Sequence, residues 1–182
     1  MSQDLDELDP TFTDDLYISR IAVYTAVHWL NNRQHTVVCP PNKERPEAKD
    51  RAGFTDFGDL QVALGRDGLR HLADFNALET VEVKQRFTSE KYPDKSMDFH
   101  SVEEFPWPTV LVGIKKHYDK LDPEPIFTIC FNETLTGCLI IKKDTRLSAP
   151  WTVWKGHVKK NGRIQTCYEV PKHLTTYYEV KL

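Results

Sequence analysis

Between Thr13 and Arg33 apolar side chains recur with the period of a helix, at Leu16, Ile18, Ile21, Ala22, Val23, Ala26, Val27, Trp29 and Leu30. So broad a face predicts a long helix packed into the fold. Thr13 suits its N-cap, and Asp14 and Asp15 suit the positive end of the helix dipole. His28 on this helix reads as a core or boundary histidine. Residues 1–12 carry no such pattern and read as an acidic flexible arm. Beyond the helix the period changes. HTVVCPP is a short β-branched run stopped by Pro40 and Pro41, and the polar stretch 41–58 predicts an exposed loop. A loop of that length in a small domain is often functional. DLQVAL (59–64) predicts a strand with GRDG as its turn, followed by the ambiguous LRHLADFNALE. In ETVEVKQRF (79–87) a period of two sends Val81 and Val83 one way and Glu82 and Lys84 the other.

The second half is richer in strands. A polar segment holding a short helix from Met97 to Phe105 leads to three apolar β-branched runs, TVLVGI (109–114), IFTICF (126–131) and GCLIIK (137–142). WTVWKGHV and RIQTCYEV are joined through Asn161-Gly162, a strong hairpin signal. PKHLTTYYEVKL closes the chain with room for one helical turn. The order predicts an α/β (α+β) domain: a mixed β-sheet with the first helix packed on it and a C-terminal β-hairpin. At 182 residues the chain is expected to form one domain, residues 13–182 behind the arm.

Charge changes this picture more than composition does. Residues 1–15 hold six acids and no base, whereas residues 142–182 hold nine Lys or Arg against Asp144, Glu169 and Glu179. A basic half on a mildly acidic chain points to a polyanionic partner. Lys142, Lys143, Arg146, Lys155, Lys159, Lys160 and Arg163 are interleaved with Trp151, Trp154 and Tyr168, a mixture suited to phosphate contact and base stacking. The same aromatics fit a hairpin core equally well, with the lysines keeping an edge soluble. Cys39, Cys130, Cys138 and Cys167 show no metal spacing and read as buried thiols of a reducing, cytoplasmic setting. No apolar run approaches the roughly 18 residues of a membrane span, and the acidic start lacks the order of a secretory signal, so no membrane is expected.

Motif chemistry is mostly excluded. The chain has no P-loop, dinucleotide loop, GxSxG elbow, HExxH or paired histidines. Carboxylates remain. Asp59 opens one strand and Glu82 lies in the next, with Lys84 two residues on. On neighbouring strands the two acids converge, and an oxygen-rich pair with a backbone carbonyl suits Mg²⁺. A lysine beside them can orient or deprotonate a water, or hold charge on a phosphate. A surface ion pair is the competing reading of the same three residues.

Helix, strand, then D-(x)n-E-x-K on two strands resembles the PD-(D/E)xK nuclease superfamily, which includes restriction endonucleases and Holliday-junction resolvases. The resemblance covers roughly residues 13–131, with 132–182 as a basic β-rich extension. It implies a restriction-endonuclease-like αβββαβ core and hydrolysis of DNA phosphodiesters with Mg²⁺ or Mn²⁺. It also implies a homodimer where two strands are cut. The metal ligands would be Asp59, Glu82 and the Val83 carbonyl, with Lys84 serving the attacking water. Arg86, on the same face as Glu82 and Lys84, and Lys159, Lys160 and Arg163 would contact DNA. Asp15 is the nearest match to an extra acid on the first helix. No proline precedes Asp59, and its 23-residue gap to Glu82 implies an insertion, so Asp56 and Asp74 stay open as ligands. The small size suggests a phage or mobile-element enzyme acting in the host cytoplasm. The rival reading is a non-catalytic nucleic-acid- or protein-binding module on the same fold, such as a phage-encoded inhibitor.

Overall fold

The computed structural model describes residues 10–33, 35–38, 59–63, 78–119, 121, 124–145, 151–158 and 164–181. The first helix, α1, runs over Pro10–Asn32. It begins three residues ahead of Thr13, which is therefore not its cap, and no acid lies in its first turn. A proline at the first position loses nothing, because the N–H it lacks would have had no partner within the helix. Ala22, Thr25, Ala26, Trp29 and Leu30 are buried at intervals of three and four residues, while Ile21 and Tyr24 are 42% and 63% exposed. Val23 and Val27 pack against the same core, so among the expected apolar residues whose side chains are described only Ile21 turns outward. His28 lies on the exposed side.

Among the described residues nine strands follow: β1 Thr36–Val38, β2 Leu60–Ala63, β3 Glu79–Gln85, β4 Thr109–Ile114, β5 Phe127–Phe131, β6 Gly137–Lys142, β7 Thr152–Val158, β8 Ile164–Pro171 and β9 Thr176–Glu179. Six make one mixed sheet in the order β1-β2-β3-β5-β6-β9, and three make a second in the order β4-β8-β7. Every pairing is antiparallel except β3 with β5, which run parallel. Two consequences concern the C-terminal half. The β7–β8 hairpin is paired along β4, and β6 and β9, both beyond residue 131, complete the main sheet. Strand β9 has no counterpart among the sequence expectations, whereas the helical turn of the tail is the 3-10 turn Lys172–Leu174 just ahead of it.

Alternation within the strands separates two cores. Leu60, Val62, Val81, Val83, Ile129, Phe131, Cys138 and Ile140 face α1 and pack on Ala22, Ala26, Trp29 and Leu30. Cys130, Leu139 and Ile141 face the other way, onto Val110, Val112 and Val170 of the second sheet and onto Phe99 and Phe105. The layers are helix, large sheet, small sheet. Parallel β3 and β5 need a crossover, and here it carries β4 and the four-residue helix α2, Lys115–Tyr118. The short helix expected from Met97 to Phe105 does not form: the segment is turns and bends. Its backbone N–H groups are taken by side chains instead, Asp98 by Ser96 Oγ, His100 by Glu104 Oε2 and Glu104 by Ser101 Oγ, an alternative to helix that Ser and acidic residues offer. Among the described residues no helix is long and apolar enough to cross a membrane.

Candidate active site

Strand β2 ends where the site begins. Leu60 stands opposite Val81, so one further step in the same register sets Asp59 opposite Glu82. The Asp59 side chain reaches further along β3 than this backbone pairing. Its carboxylate accepts the Val83 N–H at 2.8 Å through Oδ2, while the Asp59 N–H donates to the Val81 carbonyl at 3.2 Å. This bond to a backbone donor fixes the rotation of the Asp59 carboxylate.

Glu82 and Lys84 share the face that looks toward the second sheet. Lys84 Nζ donates to Glu82 Oε2 at 2.8 Å and lies 3.8 Å from Asp59 Oδ2. The Glu82 side chain is only 12% exposed, against 35% for both Asp59 and Lys84, so the cluster has one inner and two outer members. Burial works against the Lys84 charge more than any other single influence. The attraction of Glu82 and Asp59, with the Glu82 hydrogen bond, together outweighs it and the repulsion of Arg86, and the pKa of the ammonium is raised above the ordinary lysine value. Lys84 is therefore a firmly held cation.

On the far side of β3 the register pairs Glu82 with Thr128 and Lys84 with Cys130. Thr128, fully buried beside Glu82, is a neighbour that sequence reading missed, because the strand that carries it lies more than forty residues on. Arg86 follows on the same face but turns inward, with Nε on Cys130 Sγ at 3.4 Å and Nη2 on the Leu111 carbonyl. Gln85 faces the other way and donates to the Glu133 carbonyl at 2.9 Å; its Oε1 is buried with no hydrogen-bond partner among the described residues.

The structure thus brings together Asp59, Glu82, Val83 and Lys84. Asp56, Asp74, Lys159, Lys160, Arg163 and Cys39 lie outside the described residues, as does the side chain of Asp15. Trp151 is buried, donates from Nε1 to Thr145 Oγ1 at 2.8 Å, and meets the rings of Tyr118 and Tyr168 edge to face, as core aromatics do. Cys130, Cys138 and Cys167 are free and buried, and burial pushes the Cys138 thiol far above its usual range.

Among the described residues no group of three or more His, Cys, Asp or Glu side chains could hold a metal. Mg²⁺ asks for less: one or two carboxylates, with waters or substrate oxygens completing its shell. Two facing carboxylates, one of them 35% exposed, fit that need. Comparison of the chain with protein-family models, with curated proteins and with solved structures gives no match.

Proposed function

We propose that the chain is a Mg²⁺- or Mn²⁺-dependent DNA endonuclease whose reacting centre is the Asp59–Glu82–Lys84 cluster. The observation that carries this reading is the convergence itself. Two acids 23 positions apart in sequence stand opposite one another on neighbouring strands, and the Lys84 ammonium lies 2.8 Å from one and 3.8 Å from the other. The element order adds support: α1, an antiparallel β1–β2–β3 meander, then β5 parallel to β3. A restriction-endonuclease-like core has that order, with a second helix where this chain has β4 and α2.

Asp59 and Glu82, with the Val83 carbonyl, would hold the metal. When bound, such an ion polarises a phosphodiester and lowers the pKa of a water. Asp59 is pre-oriented for its part by the Val83 N–H. Glu82, nearly closed off from solvent, is an anion kept in place by Lys84. Lys84, with its raised pKa, contributes as a donor and a charge rather than as a base: it steadies the attacking water or the negative charge that grows on the phosphate oxygens. Family nucleases often dimerise to cut both strands, and a dimer is part of the proposal on that ground.

A second reading, a non-catalytic nucleic-acid- or protein-binding module, has its own observation: Lys84 already pairs with both carboxylates, as it would in a half-buried structural ion-pair cluster. Cleavage assays on duplex, single-stranded, flapped and four-way DNA separate the two. Nicking or cutting with Mg²⁺ or Mn²⁺ that stops in EDTA is the expected result. A chain that cuts none of these with either metal is a binding module.

A further inference from the structure

Arg86 extends the polar face of β3 beyond Lys84, yet it does not reach outward. Its guanidinium enters the gap between the two sheets and is held at both ends of one edge. Nε donates to Cys130 Sγ at 3.4 Å and Nη2 to the Leu111 carbonyl, while its backbone N–H donates to the Phe131 carbonyl at 3.1 Å. The two side-chain acceptors belong to different layers. Cys130 lies on β5, in register with Lys84. Leu111 lies on β4, the edge strand of the second sheet, where the ladder with β8 shifts between Leu111 and Gly113. A bulge of this kind re-aims backbone groups out of the ladder, often beside a site.

We infer that Arg86 is a positioning residue for the Asp59–Glu82–Lys84 cluster, fixing the end of β3 between β5 and the bulge of β4. The edge formed by Nε and Nη2 is one of those that could grip a phosphate with two parallel bonds, and here a thiol and a carbonyl occupy it. Glu82 and Lys84 are four and two residues from the anchored point, and Val83, whose N–H orients Asp59, lies between them. Movement of this strand end displaces the carboxylate pair relative to the ammonium. A lysine in its place keeps the charge but offers a point donor on a flexible stem, which cannot span both acceptors. The effect on rate rests on the nuclease reading; the effect on the strand rests on geometry alone.

The test compares Arg86→Lys with Arg33→Ala, a change on the α1 side of the sheet, and with the parent. Hydrogen exchange at the Val83 amide reads the geometry of the site without any chemistry. It should accelerate by about tenfold or more in Arg86→Lys, and stay near parent in Arg33→Ala once global stability is matched. On supercoiled plasmid with Mn²⁺, kcat should fall by about 10- to 100-fold in Arg86→Lys while KM and the salt dependence of binding hold, as expected when reacting groups are misplaced by an ångström or less. If Arg86→Lys does not fold, Cys130→Ala removes one of the two acceptors and should shift Val83 exchange in the same direction by less. Parent-like Val83 exchange in the folded variant overturns the inference. So does an unchanged kcat with a shallower salt slope, the mark of a phosphate contact. Faster Val83 exchange in a chain that cuts no DNA upholds the positioning role and removes the nuclease reading.

Discussion

Lys84 stands between two carboxylates, and the cation answers differently to substitution from the two anions. Glu82→Gln keeps shape but removes the inner charge, so Mn²⁺ affinity by calorimetry and DNA cleavage should both collapse. Asp59→Asn should do the same if Asp59 and Glu82 are the two ligands of the proposed site. Lys84→Ala should retain or tighten Mn²⁺ binding, since a competing cation is gone, yet lower cleavage by about 10²- to 10⁴-fold, the usual loss for one positioned charge-stabilising group. Cleavage by Lys84→Ala at the parent rate would reduce the cluster to a surface ion pair. The pH dependence carries a sign. The Lys84 pKa is raised above 10.5 in the folded chain, so its contribution to stability is whole below that value and is lost as the pH climbs through the folded pKa. Urea midpoints should fall more steeply above pH 10.5 in the parent than in Lys84→Met. The residues of the candidate cluster were legible in the sequence as types and spacing: an acid at a strand start, then E-x-K at period two. Thr128 and the inward turn of Arg86 were not, because neither is encoded near the residues it serves.

The turn between β5 and β6 shows how an element is fixed from outside itself. Asn132 is fully buried, and its Oδ1 accepts the N–H groups of Thr136 and Gly137 at 3.0 and 3.2 Å. Its Nδ2 donates to the Phe99 carbonyl at 3.0 Å and so docks the crossover segment onto the turn. Asn132→Ala strands several buried backbone groups and should cost about 2–4 kcal/mol in chemical denaturation, more than a single hydrogen bond contributes. Gly137 makes a second point: a Cβ there would lie 2.7 Å from Tyr177 Cε2 and closer still to its hydroxyl. Gly137→Ala must therefore push the Tyr177 ring away, and should lower stability by about 1–3 kcal/mol through overpacking. Most strands were legible from apolar β-branched runs, and β4 and β6 match their runs residue for residue. The helix expected over Met97 to Phe105 failed for a physical reason, since its own Ser and Glu side chains bind the backbone that a helix would have used. Strand β9 went unseen because TYYE is an edge strand with both ends exposed, and only its place beside β6 makes it one.

At the scale of the whole molecule, charge and layering are separate matters. The basic end of the sequence is the ground for the proposed DNA partner, and its sharpest part, Lys159, Lys160 and Arg163, falls between β7 and β8 in the sequence. Replacing all three with Ser should weaken DNA binding and flatten its dependence on salt, because fewer counterions are released per complex. Unchanged affinity and slope in that variant would show that the connection only decorates the fold. Local sequence determined the long first helix, the strand runs and the two faces of ETVEVKQRF, because side-chain period is a property of the chain over a few residues. It also singled out Asp59, Glu82 and Lys84 as candidates, which the structure brings together. Tertiary structure alone decided the rest: that β3 lies between β2 and a parallel β5, that β8 pairs with β4 to make a second sheet, and that Asp59 falls opposite Glu82. Strand order and register follow from which faces bury which, a balance struck among residues far apart in the chain, and no short stretch of sequence contains it.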